Sequence, residues 1–234
     1  MRIVSWNCSM ALYKKRSLLD ELSPDVAILQ EVSKRDIESG DHPFSAWVGS
    51  NPHKGLGVIG FIPASYKMTE PGDRGLPWHL PFSVDGLNIV ALWAHQLDRD
   101  LKYVRVTHKI VDQHARFLGT GRAMIVGDFN SNTVWDSKHQ GRNHSMLVEK
   151  LSGIGLDSIY HRQHQSAHGE EQVKTFFHNW NPDLGHHIDY AFLSSGVEAK
   201  VAVGETAEWL PHSDHMPLVV DLDLKAPMPV ANRS

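Results

Sequence analysis

The stretch Ala123-Met124-Ile125-Val126-Gly127-Asp128-Phe129-Asn130 decides how the chain folds. Four apolar residues closed by a glycine predict a short buried strand. That strand runs out into a carboxylate and a carboxamide two residues apart. If strand geometry persists as far as Asn130, the two side chains share a face, where they can hold and orient a water. A lone Gly-Asp pair is explained as a turn former for backbone reasons only. The pair gains weight if other strands end in the same way.

Working outward, they do. Residues 3–8 read as a first strand containing Asn7, and Val26-Ala27-Ile28-Leu29-Gln30 is a buried strand ending at Glu31. Residues 57–61 and 87–94 are further strands, the second running into His95. Residues 188–193 carry Asp189 at their start, and Asp214 with His215 precedes a last strand at 218–224. Between the strands, residues 14–22, 103–118 and 145–154 place apolar residues at helical spacing, and Ser23-Pro24-Asp25 stops the first of them. Short strands alternating with helices predict a layered α/β domain, in which polar residues at strand ends gather on a common rim. Three polar stretches, 36–54, 69–81 and 131–143, are expected to be long loops that meet a substrate.

Composition narrows the class. The chain has 234 residues, 41% hydrophobic and 21% charged, with 23 Lys and Arg against 27 Asp and Glu for a formal charge of −4. This is a globular composition with material for a sizeable core. It lacks the basic surplus that binds nucleic acid through phosphate neutralisation alone. No repeat, low-complexity tract or membrane-length apolar run is present. The single cysteine, Cys8, cannot pair within the chain, and the start reads as a strand rather than a signal peptide, so a cytoplasmic protein is expected. One domain is expected over 1–225, with 226–234 as a frayed tail.

Glu31 follows an unbroken apolar run, so its carboxylate leaves the interior where a cation must meet it. Oxygen donors without thiolates point to Mg2+ or Mn2+. Asp189, Asp214 and His215 supply groups for orienting and protonating.

Six stretches in order carry a family resemblance: Ser5-Trp6-Asn7, Leu29-Gln30-Glu31, Trp93-Ala94-His95, Gly127-Asp128-Phe129-Asn130, His187-Ile188-Asp189-Tyr190 and Ser213-Asp214-His215-Met216-Pro217. The sequence resembles the endonuclease/exonuclease/phosphatase superfamily, which includes exonuclease III-like enzymes, pancreatic-type deoxyribonucleases, sphingomyelinases and inositol-polyphosphate 5-phosphatases. The resemblance implies a four-layered α/β/β/α sandwich whose two mixed, largely antiparallel sheets converge on one metal site. It makes Glu31 the principal carboxylate ligand with Asn7 and Asp214 nearby, and gives Asp128 and Asn130 the attacking water. Asp189 would fix the tautomer of His215 and favour its charged form. His95 matches the histidine of the deoxyribonuclease, sphingomyelinase and 5-phosphatase branches, where exonuclease III-like abasic-site enzymes usually carry tyrosine. That departure counts against abasic-site repair. Ser9 stands where some repair endonucleases carry a metal-assisting aspartate.

The expected activity is divalent-metal-dependent phosphodiester hydrolysis by in-line attack of water, with a nuclease on DNA or RNA as the leading reading. The general base is open between Asp128 and His215. A phosphatase or lipid phosphodiesterase on the same scaffold and a catalytically silent interaction module are the alternatives. Lys54 and Arg99 are weak phosphate-contact candidates, and Phe177 and Trp180 weak candidates for stacking on a base. Lys14-Lys15-Arg16 reads first as a solvated helix face. The sixteen histidines include the pairs His161 with His164, His164 with His168, and His212 with His215 at helical spacing. They invite a zinc reading, but with no cysteine cluster or His-Glu-x-x-His pattern beside them a structural zinc is not expected, and most are expected to be solvated.

Overall fold

The strand expected at 123–126 runs from Arg122 to Asp128 in the middle of a six-stranded sheet. The computed structural model describes residues 1–224 except 71, 73, 74, 77, 99–101 and 140; Arg99 and the tail at 226–234 lie outside the described residues. In chain order the strands are β1 (Arg2–Asn7), β2 (Val26–Val32), β3 (Phe44–Asn51), β4 (Lys54–Gly60), β5 (Tyr66–Met68), β6 (His79–Val84) and β7 (Leu87–Trp93). They continue with β8 (Arg122–Asp128), β9 (Leu156–Ser158), β10 (Phe176–Phe177), β11 (Gly185–His186), β12 (Asp189–Ser194), β13 (Glu198–Val203) and β14 (Leu218–Asp223). The helices are α1 (Arg16–Glu21), α2 (Lys34–Glu38), α3 (Val104–Leu118), α4 (His144–Gly153), α5 (Ile159–His164) and α6 (Thr206–Trp209).

One sheet has the order β13-β14-β1-β2-β4-β3 and the other β5-β6-β7-β8-β12-β9, with β10 and β11 a separate hairpin. Each large sheet is antiparallel except for one parallel pair, β1 with β2 and β7 with β8. The crossovers of these pairs contain α1 and α3, so each pair delivers two strand C-termini to one sheet edge. A bond from Asn7 to Asp128 ties the end of β1 to the end of β8, and the two edges meet there.

Alternation along the strands sorts the apolar residues into three layers. In β2, Val26 and Ile28 face the core between the sheets, whereas Ala27 and Leu29 pack with Trp6, Leu19 and Ile37 beneath α1 and α2. In β8, Met124 and Val126 face the inter-sheet core, and Ala123 and Ile125 pack with Ile110, Leu147 and Leu151 beneath α3 and α4. Each fully buried Leu, Ile or Val contributes about 1.5–3 kcal/mol. Strands covered on both faces read as unbroken apolar runs, which made them legible in the sequence. The result is the α/β/β/α sandwich. Gly127 marks the tightest approach inside it: its φ is +147°, and a Cβ there would lie 1.9 Å from the Leu92 carbonyl oxygen of β7.

Two expected loops contain strands instead. The stretch 36–54 holds β3, an edge strand whose exposed Ser45, Ser50 and Asn51 and half-buried Gly49 give no alternating signal. The stretch 69–81 runs into β6, which Pro81 disguises. Pro81 turns its carbonyl to the Thr69 amide at 2.9 Å, just past the end of the short β5, so its missing N–H breaks no ladder bond. The histidines also differ from expectation. Seven of the sixteen are buried, and in two expected pairs the partners part company: His164 and His212 are exposed while His161 and His215 are buried.

Candidate active site

At the end of β8 the extended backbone stops at Asp128, and Asn130 takes a left-handed φ of 47°. Strand geometry therefore does not carry Asp128 and Asn130 onto one face, as the spacing suggested. A turn brings them together by another route. The Asn130 backbone N–H donates to Asp128 Oδ1 at 2.9 Å, and its side-chain Nδ2 donates to Asp128 Oδ2 and to the Ala94 carbonyl, each at 2.9 Å. Asn7 Nδ2 donates to the same Oδ2 at 3.2 Å. Asp128 is wholly shielded from solvent and holds the strand ends together through these bonds.

Across the β8–β12 ladder Asp128 pairs with Asp189, so two carboxylates start from neighbouring strands. His215 joins them. Its Nδ1 lies 3.0 and 3.2 Å from the two Asp189 oxygens, and its Nε2 lies 4.0 Å from Asp128 Oδ2. An ionised carboxylate only accepts, so Nδ1 carries a proton. The ring is fixed from behind: Ser213 Oγ accepts from the His215 backbone N–H at 3.1 Å and donates to the Asn7 carbonyl at 2.7 Å. The Trp6 indole N–H donates to the His215 carbonyl at 3.0 Å. Thr175 Oγ1 accepts from the N–H groups of Ile188 and Asp189 at 2.9 and 3.0 Å, anchoring the start of β12.

Burial and charge set the protonation states. Burial raises the Asp128 carboxyl to about 7, with Asp189 adding to the rise and His215, Asn7 and Asn130 opposing it. Burial alone would lower His215, but Asp189 and Asp128 outweigh it and lift the imidazolium to about 9. At neutral pH the ring is therefore charged, and Asp128 stands near its midpoint.

Glu31 sits in a bulge of β2, between the paired residues Gln30 and Val32, with φ of 57°. Bulges re-aim side chains, and this one turns Glu31 out of the ladder. The cation that meets it here is Lys54, whose Nζ lies 2.8 Å from Glu31 Oε2 and 5.5 Å from the Trp93 ring centre. Asp214 is half-buried; burial raises its pKa, and Glu31 and Asp189 contribute to the rise. Carboxylates that repel one another in this way fit a divalent cation between them. Ligand atoms of Asp128, Asp189 and His215 also lie within 4.8 Å of one another, but the charged His215 ring offers no lone pair, so this group is a hydrogen-bonded array rather than a second metal site. The nearby sulfur is not in competition, because burial pushes the Cys8 thiol up to about 12. The donor set around Glu31, Asn7 and Asp214 is thus hard oxygen, which suits Mg2+ or Mn2+.

His95 follows β7 at the rim, its ring 4.6 Å from that of Trp78 and 5.1 Å from that of Trp93, with Nδ1 at 2.9 Å from the Gln96 carbonyl. Phe177 is 5% exposed and lies in the apolar cluster with Trp209 and Met216, so it offers no free face for stacking. Its neighbour Phe176 is the aromatic at the site, 4.7 Å from His215. Trp180 is exposed. Lys15, which the sequence placed on a solvated helix face, instead turns inward. Its Nζ donates to the Cys8 carbonyl at 2.5 Å, and burial lowers its pKa while Asp214 and Glu31 act against that. The Lys-Lys-Arg run was its only sequence signal, and Thr175 had none; Ser213 opens one of the six matching stretches, and Phe176 belongs to the aromatic run before Asp189.

The family model for the Endonuclease/Exonuclease/phosphatase family matches residues 4–215. No curated protein sequence matches the chain. Among solved structures the chain is similar to a 3'-5' exonuclease from Neisseria meningitidis, at 19% identity over 95% of this chain and 100% of that one, with a TM-score of 0.65. It is similar to a 3' phosphatase from Neisseria bound to product DNA hairpin, at 17% identity over 95% of this chain and 99% of that one, TM-score 0.66. It is also similar to an AP endonuclease from Archaeoglobus fulgidus, at 17% identity over 96% of this chain and 100% of that one, TM-score 0.64. These likenesses establish the shared fold.

Proposed function

The chain belongs to the endonuclease/exonuclease/phosphatase family of phosphoester hydrolases, and we propose that its own reaction is divalent-metal-dependent cleavage of phosphodiester bonds in DNA or RNA. The observation that carries this reading is the buried array of Asp128, His215 and Asp189 at one end of both sheets, with Asn7, Glu31 and Asp214 beside it. So many buried polar groups around one spot are costly without a use.

Glu31, Asn7 and Asp214 would hold Mg2+ or Mn2+, which when bound supplies Lewis-acid charge at the phosphate. The remaining work falls to the chain. His215, kept charged up to about 9, has no lone pair for a proton at neutral pH. That assigns the base to Asp128, whose pKa of about 7 suits accepting a proton from the attacking water. Asn130, whose Nδ2 gives both hydrogens to Asp128 and Ala94, orients that water through its Oδ1, which accepts from it. The Nε2–H of His215 donates to a non-bridging phosphate oxygen as charge grows there. Lys15 and Lys54 add positive charge on the Glu31 side. His95 at the rim fits a second reading as well as the first, a lipid or inositol phosphoester as substrate.

Incubation with plasmid, single-stranded DNA, RNA, a sphingomyelin vesicle and inositol phosphates, each with Mg2+ and with chelator, separates the readings. Mg2+-dependent cleavage of a nucleic acid is expected. Turnover confined to the lipid or inositol esters would replace the nuclease reading, and no turnover on any substrate would favour a silent binding module.

A further inference from the structure

Away from the catalytic carboxylates, four histidine rings crowd around a second buried acid. His161 is on α5, His168 and Glu171 follow it in the next loop, His144 opens α4, and His187 precedes β12. Glu171 is 3% exposed, and His144 and His187 are each 1% exposed. Ligand atoms of His161, His168 and Glu171 all lie within 4.8 Å of one another. His161 Nε2 is 3.1 Å from Glu171 Oε1. That spacing is close to the roughly 3.3 Å edge of a tetrahedron built on metal–ligand bonds of about 2.0–2.1 Å.

Three of the rings present a nitrogen that nothing occupies. His187 Nδ1 lies 2.8 Å from the Val173 carbonyl, which can only accept, so Nδ1 bears the proton and Nε2 carries a lone pair. That Nε2 is buried without a hydrogen-bond partner, and so is Nε2 of His144, whose Nδ1 pairs with Ser131 Oγ at 2.9 Å. His168 Nδ1 is buried and unpartnered as well. His161 is held at Nδ1 by Ser158 Oγ at 2.7 Å. Imidazoles anchored at one nitrogen and open at the other are the usual outer arrangement of metal-binding histidines. Asn132 braces the acid, its Nδ2 lying 3.1 and 3.2 Å from the two Glu171 oxygens.

We propose that His161, His168 and Glu171, with a fourth imidazole from His144 or His187, form a structural site for a transition-metal ion of the zinc type, distinct from the hard-oxygen site at Glu31. The donors decide the metal class: imidazole nitrogens with one carboxylate suit zinc, whereas Mg2+ takes oxygen. Burial supports it by holding His144, His168 and His187 neutral, near 4, 3 and 4. The role is to pin α5 and the 165–171 loop to α4 and the start of β12. His161 and His168, now stacked with ring centres 3.5 Å apart, splay to admit the ion.

The test uses the full chain, stripped with chelator and titrated with Co2+ and with Zn2+ in excess Mg2+, which fills the oxygen site. We expect one equivalent of Co2+ with an intense tetrahedral visible band, retained in Glu31→Ala and weakened roughly a hundredfold or more in Glu171→Gln and His168→Ala. X-ray absorption of wild-type protein with one Zn2+ should show imidazole nitrogens around the metal, a readout that stands even if a variant fails to fold. No Zn2+ or Co2+ uptake in excess Mg2+, an oxygen-only shell, or unchanged affinity in folded Glu171→Gln would overturn the proposal.

Discussion

Asparagine at position 189 removes the charge that keeps the His215 proton in place while preserving the side chain's shape. The ring is 5% exposed, and burial alone would drive its pKa below 6.5, yet it stands at about 9, with Asp189 the largest influence holding it there. At about 1.4 kcal/mol per tenfold change, that rise corresponds to roughly 3 kcal/mol favouring the charged ring. In Asp189→Asn most of this is gone, the desolvation cost stays, and the ring is neutral at neutral pH. The assay has two parts. Ring-proton NMR of metal-free protein should show the His215 midpoint falling by about two pH units or more. Turnover of the best nucleic-acid substrate should fall by about 10²–10⁴, as for loss of a general acid or base. Since the two residues act as one unit, Asp189→Asn with His215→Ala should be no slower than His215→Ala alone, within about threefold. An unmoved His215 midpoint, or losses that multiply in the double variant, would refute the reasoning.

The raised pKa of His215 also links stability to pH. Its contribution is fully present below 6.5 and is lost as pH rises through about 9, so the melting temperature of metal-free protein should decline across that window and decline less in Asp189→Asn. Turnover should rise as Asp128 ionises toward 7 and fall above 9 as His215 loses its proton, with bound cation moving the lower limb to more acid pH; a pH–rate profile checks both limbs. Lys54→Ala removes the ammonium 2.8 Å from Glu31, a half-exposed pair worth about 0.2–1 kcal/mol, so the Mg2+ concentration for half-maximal activity should fall by up to about fivefold. Gly127→Ala forces a Cβ to within 1.9 Å of the Leu92 carbonyl at a φ of +147° and should cost at least about 3 kcal/mol in chemical denaturation.

How much of this was legible in the sequence follows from burial. Strands covered on both faces, such as β2 and β8, announce themselves as apolar runs, and their parallel neighbours place Asn7, Glu31, His95 and Asp128 at one edge. Others do not: the edge strand β3 is half polar, and β6, inside the second sheet, carries a proline that masks its pattern. At the site, residue identities were readable but their geometry was not. Asn130 reaches Asp128 through a left-handed turn, Glu31 leaves its ladder at a bulge, and Lys15 turns inward from a helix that looked solvated. The histidine cluster was only half legible: His161 and His168 stood out through spacings that each shares with the exposed His164, while His144 and His187 come from distant segments with no such spacing. Phe176 rather than Phe177 faces the site, since alternation along a two-residue strand cannot be phased from sequence.

The central claim is that phosphodiester cleavage depends on a divalent cation bound at Glu31. Initial rates of cleavage of a labelled oligonucleotide, measured against free Mg2+ for wild type and Glu31→Gln at matched folded concentration, test it most directly. The account predicts saturable activation in the wild type that chelator abolishes, with a loss of about 10³-fold or more in Glu31→Gln that added Mg2+ restores only in part. Equal rates in the two proteins at every Mg2+ concentration, or cleavage that persists in chelator, would contradict it.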